Sequence, residues 1–153
     1  MPLTITIPQE YGYVLLCSTA TFILSNWHAM RVGSFRKSAQ IPFPNHFATP
    51  EQIAAASGDR KEAMHIFNCA QRAHYNFLEN YVSFLPALLI AGLKFPVSAA
   101  ITGAVWSVFR IVYAVGYTKK NTPNGKGRIA GLYFWPTQLV LYGLAGYTAY
   151  SLL

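Results

Sequence analysis

Residues 67–93 read FNCAQRAHYNFLENYVSFLPALLIAGL. From Tyr81 onward the stretch is apolar, while its first half carries Arg72, His74, Asn76, Glu79 and Asn80. A bilayer core about 30 Å thick needs about 20 helical residues, so the apolar half alone is short for a crossing. A strict hydropathy count would stop at three spans for the whole chain. The polar residues, however, fall at helical spacing. Arg72, Asn76, Glu79 and Ser83 stand four, three and four positions apart and share one helix face. The stretch therefore reads as part of one long helix, a span of about residues 63–93, with a polar stripe turned away from lipid.

Three more spans flank it. Residues 11–31 contain YGYVLLCSTATFILSNWHAM, which has no formal charge. Residues 95–118 contain one charge, Arg110, and residues 129–153 contain none. The expectation is an all-α membrane protein, a four-transmembrane-helix bundle forming one domain over residues 1–153. Composition agrees: 53% of the residues are hydrophobic and 11% charged, where soluble domains run near a quarter charged. That excludes an ordinary soluble globule, and so much apolar material excludes a disordered chain. Pro86 and Pro136 fall within spans two and four, where membrane helices tolerate proline and kink. The opening MPLTITIPQE lacks the basic and apolar regions of a cleavable signal, so the first span is expected to direct insertion itself.

The net charge of +7 would suggest nucleic acid in a soluble protein. Here it reads as topology, with no nucleic-acid partner expected. Arg31, Arg36, Lys37, Arg60 and Lys61 lie between spans one and two, and Lys119, Lys120, Lys126 and Arg128 between spans three and four. The opposite side has Lys94 alone, with Arg72 and Arg110 inside spans. An excess of Lys and Arg marks cytoplasmic loops, so both basic loops are expected in the cytosol. Cys17 and Cys69 are far apart and form neither a disulfide framework nor a zinc-ligand pattern, so no metal is expected.

Ionisable groups at membrane depth usually face a protein interior or a wet cavity. In span three, Arg110, Tyr113 and Tyr117 stand three and four positions apart, again on one face. Both polar faces lie near the cytosolic ends and open to the same side. They describe a pocket for a charged ligand. Two intramembrane arginines outnumber the single glutamate, Glu79, and the surplus positive charge favours an anion. The alternative is that these groups only satisfy one another.

Phe67 to Asn80, with Arg72, Ala73, Asn76 and Glu79 in the pattern R-A-x-x-N-x-x-E, resembles the second helix of the MAPEG family, the membrane-associated proteins of eicosanoid and glutathione metabolism. FRIVYAVGYT resembles that family's third-helix pattern R-x-x-Y-x-x-G-Y, through Arg110, Tyr113, Gly116 and Tyr117. EYGYVLL and FNCAQRAHYN look like its type-3 microsomal glutathione transferase branch. The resemblance covers essentially the whole chain and implies a homotrimer that holds glutathione between subunits. By motif, the glutathione contacts would be Arg72, His74, Asn76, Glu79, Arg110, Tyr113 and Tyr117. Arg36 in VGSFRK would be another, and Lys37 a weaker one. Glutathione carries two carboxylates, an ammonium and a thiol. Guanidinium forks suit the carboxylates, and Glu79 suits the ammonium.

The family's thiol is activated by an arginine before helix four. Arg128 is the best match here, with Lys126 as the alternative, on a glycine-rich, mobile-looking stretch that opens span four. Free N–H groups of that helix start would add to the field on an anion. The resemblance implies a glutathione transferase or glutathione-dependent peroxidase acting on a lipophilic electrophile or lipid hydroperoxide. It would lie in membrane lipid, the implied residence being the endoplasmic reticulum, with its site toward the cytosol. Two other classes stay open: a non-enzymatic lipid-binding scaffold of the same family, and a small proton-coupled transporter using Glu79.

Overall fold

The computed structural model describes residues 6–153, and these are helical without a strand. The reading of the first ten residues as no cleavable signal rests partly on residues 1–5, which lie outside the described residues. Helix α1 spans Tyr11–Ala39, α2 Pro50–Ala55, α3 Gly58–Lys94, α4 Pro96–Tyr117 and α5 Phe134–Tyr150, with a 3-10 segment at Pro123–Gly131 between the last two. Three of the boundaries have a clear local cause. Gln40 adopts a left-handed conformation (φ 55°), and its N–H bonds back to the carbonyls of Arg36 and Lys37, closing α1. Thr49 and Gln52 form a reciprocal capping box at the start of α2, with Pro50 at the first helical position. Phe95 alone separates α3 from α4, and Pro96 opens α4, where its missing N–H has no partner to lose.

Helices α3 and α4 pack on each other and on both α1 and α5. Side-chain contacts give the directions. Arg31, late in α1, donates to Thr118 Oγ1 at the end of α4 over 2.6 Å. The Asn121 N–H reaches Glu62, early in α3. At the other end Tyr11 donates to the Leu89 carbonyl, and Lys94 lies 4.7 Å from the Tyr147 ring. The helices thus run up and down, and the two basic connections share one end of the bundle.

The core is aromatic. Phe84 stacks on Trp106 with ring centroids 3.7 Å apart, and Phe77, Leu88, Phe134 and Leu141 are enclosed around them. A polar knot crosses this core: Trp106 Nε1 donates to Gln138 Oε1, and Gln138 Nε2 donates to the Tyr142 hydroxyl, which is also bonded to Ser83. Bonds of this kind hold helices together where lipid offers no hydrophobic drive. Ser83, the deepest member of the stripe on α3, is spent on that helix contact.

The outer surface is apolar. Leu16, Ile23 and Val82 stand 70%, 71% and 77% exposed in mid-helix. Water tolerates such a belt poorly, and lipid or another subunit covers it well. Among the described residues two helices, α3 and α4, are long and apolar enough to cross a membrane. The remaining two expected crossings, α1 and α5, are helices of 29 and 17 residues.

Helix ends depart from the sequence expectation in three places. Helix α1 continues past residue 31 to Ala39, because Val32 and Ala39 pack on Met64, Phe67 and Ala70 of α3. Helix α3 starts at Gly58 instead of near residue 63. Helix α5 starts at Phe134 instead of Ile129, after the 3-10 segment. Pro136 therefore sits in the first turn of α5, where it demands no kink, while Pro86 lies inside α3.

Candidate functional site

Arg72 and Glu79 meet in a forked ion pair, Nη1 to Oε1 at 2.8 Å and Nη2 to Oε2 at 3.3 Å. They are seven residues apart, so the pair reaches along two turns of α3 and passes over Asn76, which lies between them on the same face. Both side chains are about half exposed, at 48% and 53%. A pair so open to solvent adds about 0–1 kcal/mol to stability. Its chemical value is different: an accessible guanidinium and an accessible carboxylate offer complementary partners to a zwitterion.

Arg110 is the other arginine of the expected pocket, and it is wholly enclosed. Its Nη1 donates to Asn76 Oδ1 over 2.8 Å, which ties α4 to α3. Four rings surround the guanidinium: Phe134 at 4.2 Å, Tyr113 at 5.1 Å, and Phe77 and Trp106 both at 5.6 Å. Aromatic faces attract a desolvated cation. Nε and Nη2 have no hydrogen-bond partner among the described residues. Glu79 pairs with Arg72, so Arg110 is the surplus positive charge that the sequence implies. Tyr113 is also buried, with its ring edge-on to Tyr117 at 5.5 Å. Arg110 is closed to a ligand in this conformation, whereas the Tyr113 hydroxyl is not among the enclosed unpartnered atoms.

Tyr117 is half-buried and carries Arg128 on its ring, with the guanidinium carbon 4.9 Å from the centroid. Arg128 Nη1 also donates to the carbonyls of Asn124 and Gly125, at 2.8 and 3.0 Å. The glycine-rich connection is therefore seated, not free. Gly127 packs against Gly116 backbone to backbone, and a Cβ on Gly127 would lie 2.3 Å from the Gly116 carbonyl oxygen. Gly125 adopts φ 61° beneath the Tyr117 ring. Sequence reading quoted Gly116 only as a motif position and missed its partner, because the contact joins two segments that a linear pattern keeps apart. Gly127→Ala should cost about 1–3 kcal/mol by overpacking. It should also loosen Arg128, read as faster proteolysis of the connection in detergent.

The seat corrects one expectation. Arg128 lies inside the 3-10 segment, and α5 begins six residues later at Phe134. The field of free helix-start N–H groups fades within the first turn, so it does not act at this guanidinium. Lys126 is exposed.

Three further site residues lie apart from this group within the chain. His74 is half-buried and turned toward α1, with its ring 6.2 Å from that of His28. Arg36 is buried at the end of α1, between the Phe43 and Phe67 rings at 4.4 and 4.8 Å, and donates to the Asn45 carbonyl. Lys37 beside it is exposed. His28 itself, enclosed and stacked on Phe77 at 4.5 Å, escaped the sequence reading, since a lone histidine in an apolar span carries no spacing signal. Among the described residues no cluster of metal-ligating side chains occurs.

The sequence model of the MAPEG family matches residues 14–147. That match takes in α3, α4 and the 3-10 segment whole and most of α1 and α5, and the chain belongs to the MAPEG family. The family is membrane-associated, uses glutathione, and includes glutathione transferases and related proteins. The chain is also 50% identical over 52 residues to an uncharacterized protein of Synechocystis sp., a match covering 33% of this chain and 38% of that protein.

Proposed function

We propose that this chain is a membrane-bound glutathione transferase or glutathione-dependent lipid-hydroperoxide peroxidase. Its helices α1, α3, α4 and α5 each cross the membrane, and three copies assemble as a homotrimer. The observation that carries the reading is the exposed Arg72–Glu79 pair near the same end of the bundle as Tyr117 and Arg128. Glutathione exchanges one ion pair for two: its carboxylate takes the Arg72 fork and its ammonium takes Glu79. The thiol then lies toward Arg128, whose positive charge favours the thiolate over the thiol. Thiolate attack on an electrophilic carbon forms the thioether as the leaving group departs or the adjacent carbon takes a proton; attack on a peroxide oxygen breaks the O–O bond, releases the alcohol and leaves a glutathione sulfenate that a second glutathione converts to disulfide and water. The lipophilic partner arrives through the apolar outer surface. Arg36, Lys37 and His74 lie off this face in one chain, and they complete the site from a neighbouring subunit or by contact with the far end of the tripeptide.

The type-3 microsomal branch is the one the helix-two sequence resembles, and the endoplasmic reticulum with a cytosol-facing site is the location that follows from it. The test is turnover by detergent-purified protein with glutathione and either a lipophilic electrophile or a lipid hydroperoxide. Glutathione-dependent product in either assay is the expected result, and none in either rejects the enzyme. A scaffold reading has one observation in its favour: Arg128 already donates to two loop carbonyls and so has a structural use. Glutathione binding without turnover would select it.

Topology has its own test. Cysteines introduced at Ser57 and Lys126, both exposed, in a chain whose Cys17 and Cys69 are replaced, should be labelled from the same side of the membrane, the cytosolic one. Opposite sidedness would reject four crossings. Gly125 is unsuitable for the label, because its positive φ and the Tyr117 ring leave no room for a side chain.

A further inference from the structure

A guanidinium has donors and no acceptor. Arg110 donates to Asn76, so Asn76 must turn its oxygen inward toward α4. The amide nitrogen then points the other way. Among the described residues Asn76 Nδ2 has no hydrogen-bond partner, and it is not among the enclosed unpartnered atoms. It lies on the helix face bridged by Arg72 and Glu79. A free amide would be indifferent to which end faces out. Here one end is fixed, by a residue that cannot rotate, since rings close around it on four sides.

We infer that Arg110 is a positioning residue: it does not touch the ligand, and it acts by locking the Asn76 amide so that Nδ2 donates into the site between Arg72 and Glu79. The inference rests on the glutathione reading and deepens it. It assigns the middle of the site a donor, and thus requires a ligand group with acceptor oxygen there, a carboxylate or peptide carbonyl flanked by the charges that Arg72 and Glu79 hold. It also accounts for a buried arginine with no carboxylate at hand. The cation is kept by aromatic faces and one amide oxygen, and its fixed geometry is the benefit.

The test is a double-mutant cycle on glutathione affinity by calorimetry, with Asn76→Ala, Arg110→Met and the two combined. Methionine is unbranched and fits an apolar cage. Each single change should weaken binding about 10-fold or more. The double variant should bind no worse than the weaker single variant within about 2-fold, because groups that act as one unit are not additive. Losses that multiply would mean that Arg110 meets the ligand itself and would overturn the proposal. Asn76→Asp is a second arm that keeps the arginine intact. Its carboxylate accepts from Arg110 but has no N–H for the ligand. It should melt no lower than the parent protein and yet bind glutathione about 10-fold or more weakly. Unchanged affinity, or a lower melting temperature, would overturn the proposal even if Arg110→Met fails to fold. If the parent protein does not bind glutathione, the functional reading fails, while the melting temperature of Asn76→Asp still reports whether the amide oxygen faces Arg110.

Discussion

Arg128→Ala should leave glutathione affinity nearly intact and lower turnover by roughly 10- to 1000-fold, the range for losing one electrostatic stabiliser. The carboxylate-binding fork belongs to Arg72, on another helix, so the bulk of the affinity does not depend on Arg128. What is lost is the charge that favours thiolate. A free thiol ionises near pH 8.5, and an adjacent cation lowers that value. Removing the cation raises it again, so less thiolate is present at neutral pH and the activity profile moves toward alkaline pH. A pH titration of thiolate absorbance reads the shift directly. Lys126→Ala should have a smaller effect, since the lysine is exposed. If Lys126→Ala abolishes the thiolate and Arg128→Ala does not, the activating position is two residues earlier. If neither changes it, the activating charge lies elsewhere, and Arg36 is the next arginine to replace.

Arg72→Ala and Glu79→Ala should each weaken glutathione binding by about 2–5 kcal/mol, or roughly 30- to several thousand-fold, because each leaves one charge of the bound ligand without its partner. Folding should change far less. The pair is half exposed on α3 and joins no second helix, so its loss costs about 0–1 kcal/mol of stability. The contrast between a large binding loss and a small shift in melting temperature marks a recognition pair. A structural pair would show the reverse order. Variants that remain folded and bind normally would remove Arg72 and Glu79 from the site.

Much of this arrangement was legible in the sequence. The four-, three- and four-residue spacing placed Arg72, Asn76, Glu79 and Ser83 on one face of α3, and the first three stay together there. The surplus of arginine over glutamate correctly implied one cation without a carboxylate. Which arginine it was depended on side-chain reach: Arg72 spans two turns to Glu79, whereas Arg110 is drawn into the aromatic core. Periodicity reports a face and not a depth, so the enclosure of Arg110 and the burial of the Tyr113 ring could not be read from it. Ser83 shares the face but is bonded to Tyr142, a contact between helices that spacing within one helix does not encode. The connection before α5 was misread for a related reason. Its glycines suggested freedom, but Gly127 and Gly116 are small so that two backbones can meet. The long extension of α1 past its apolar span depends on packing against the first turns of α3, which no single-segment pattern displays.

The most direct measurement is glutathione titrated into detergent-purified protein by calorimetry, with thiolate absorbance followed in the same samples. Saturable binding together with a thiolate signal near neutral pH is the expected result, both present in the parent protein and the signal alone diminished in Arg128→Ala. Absence of glutathione binding by folded protein would contradict it.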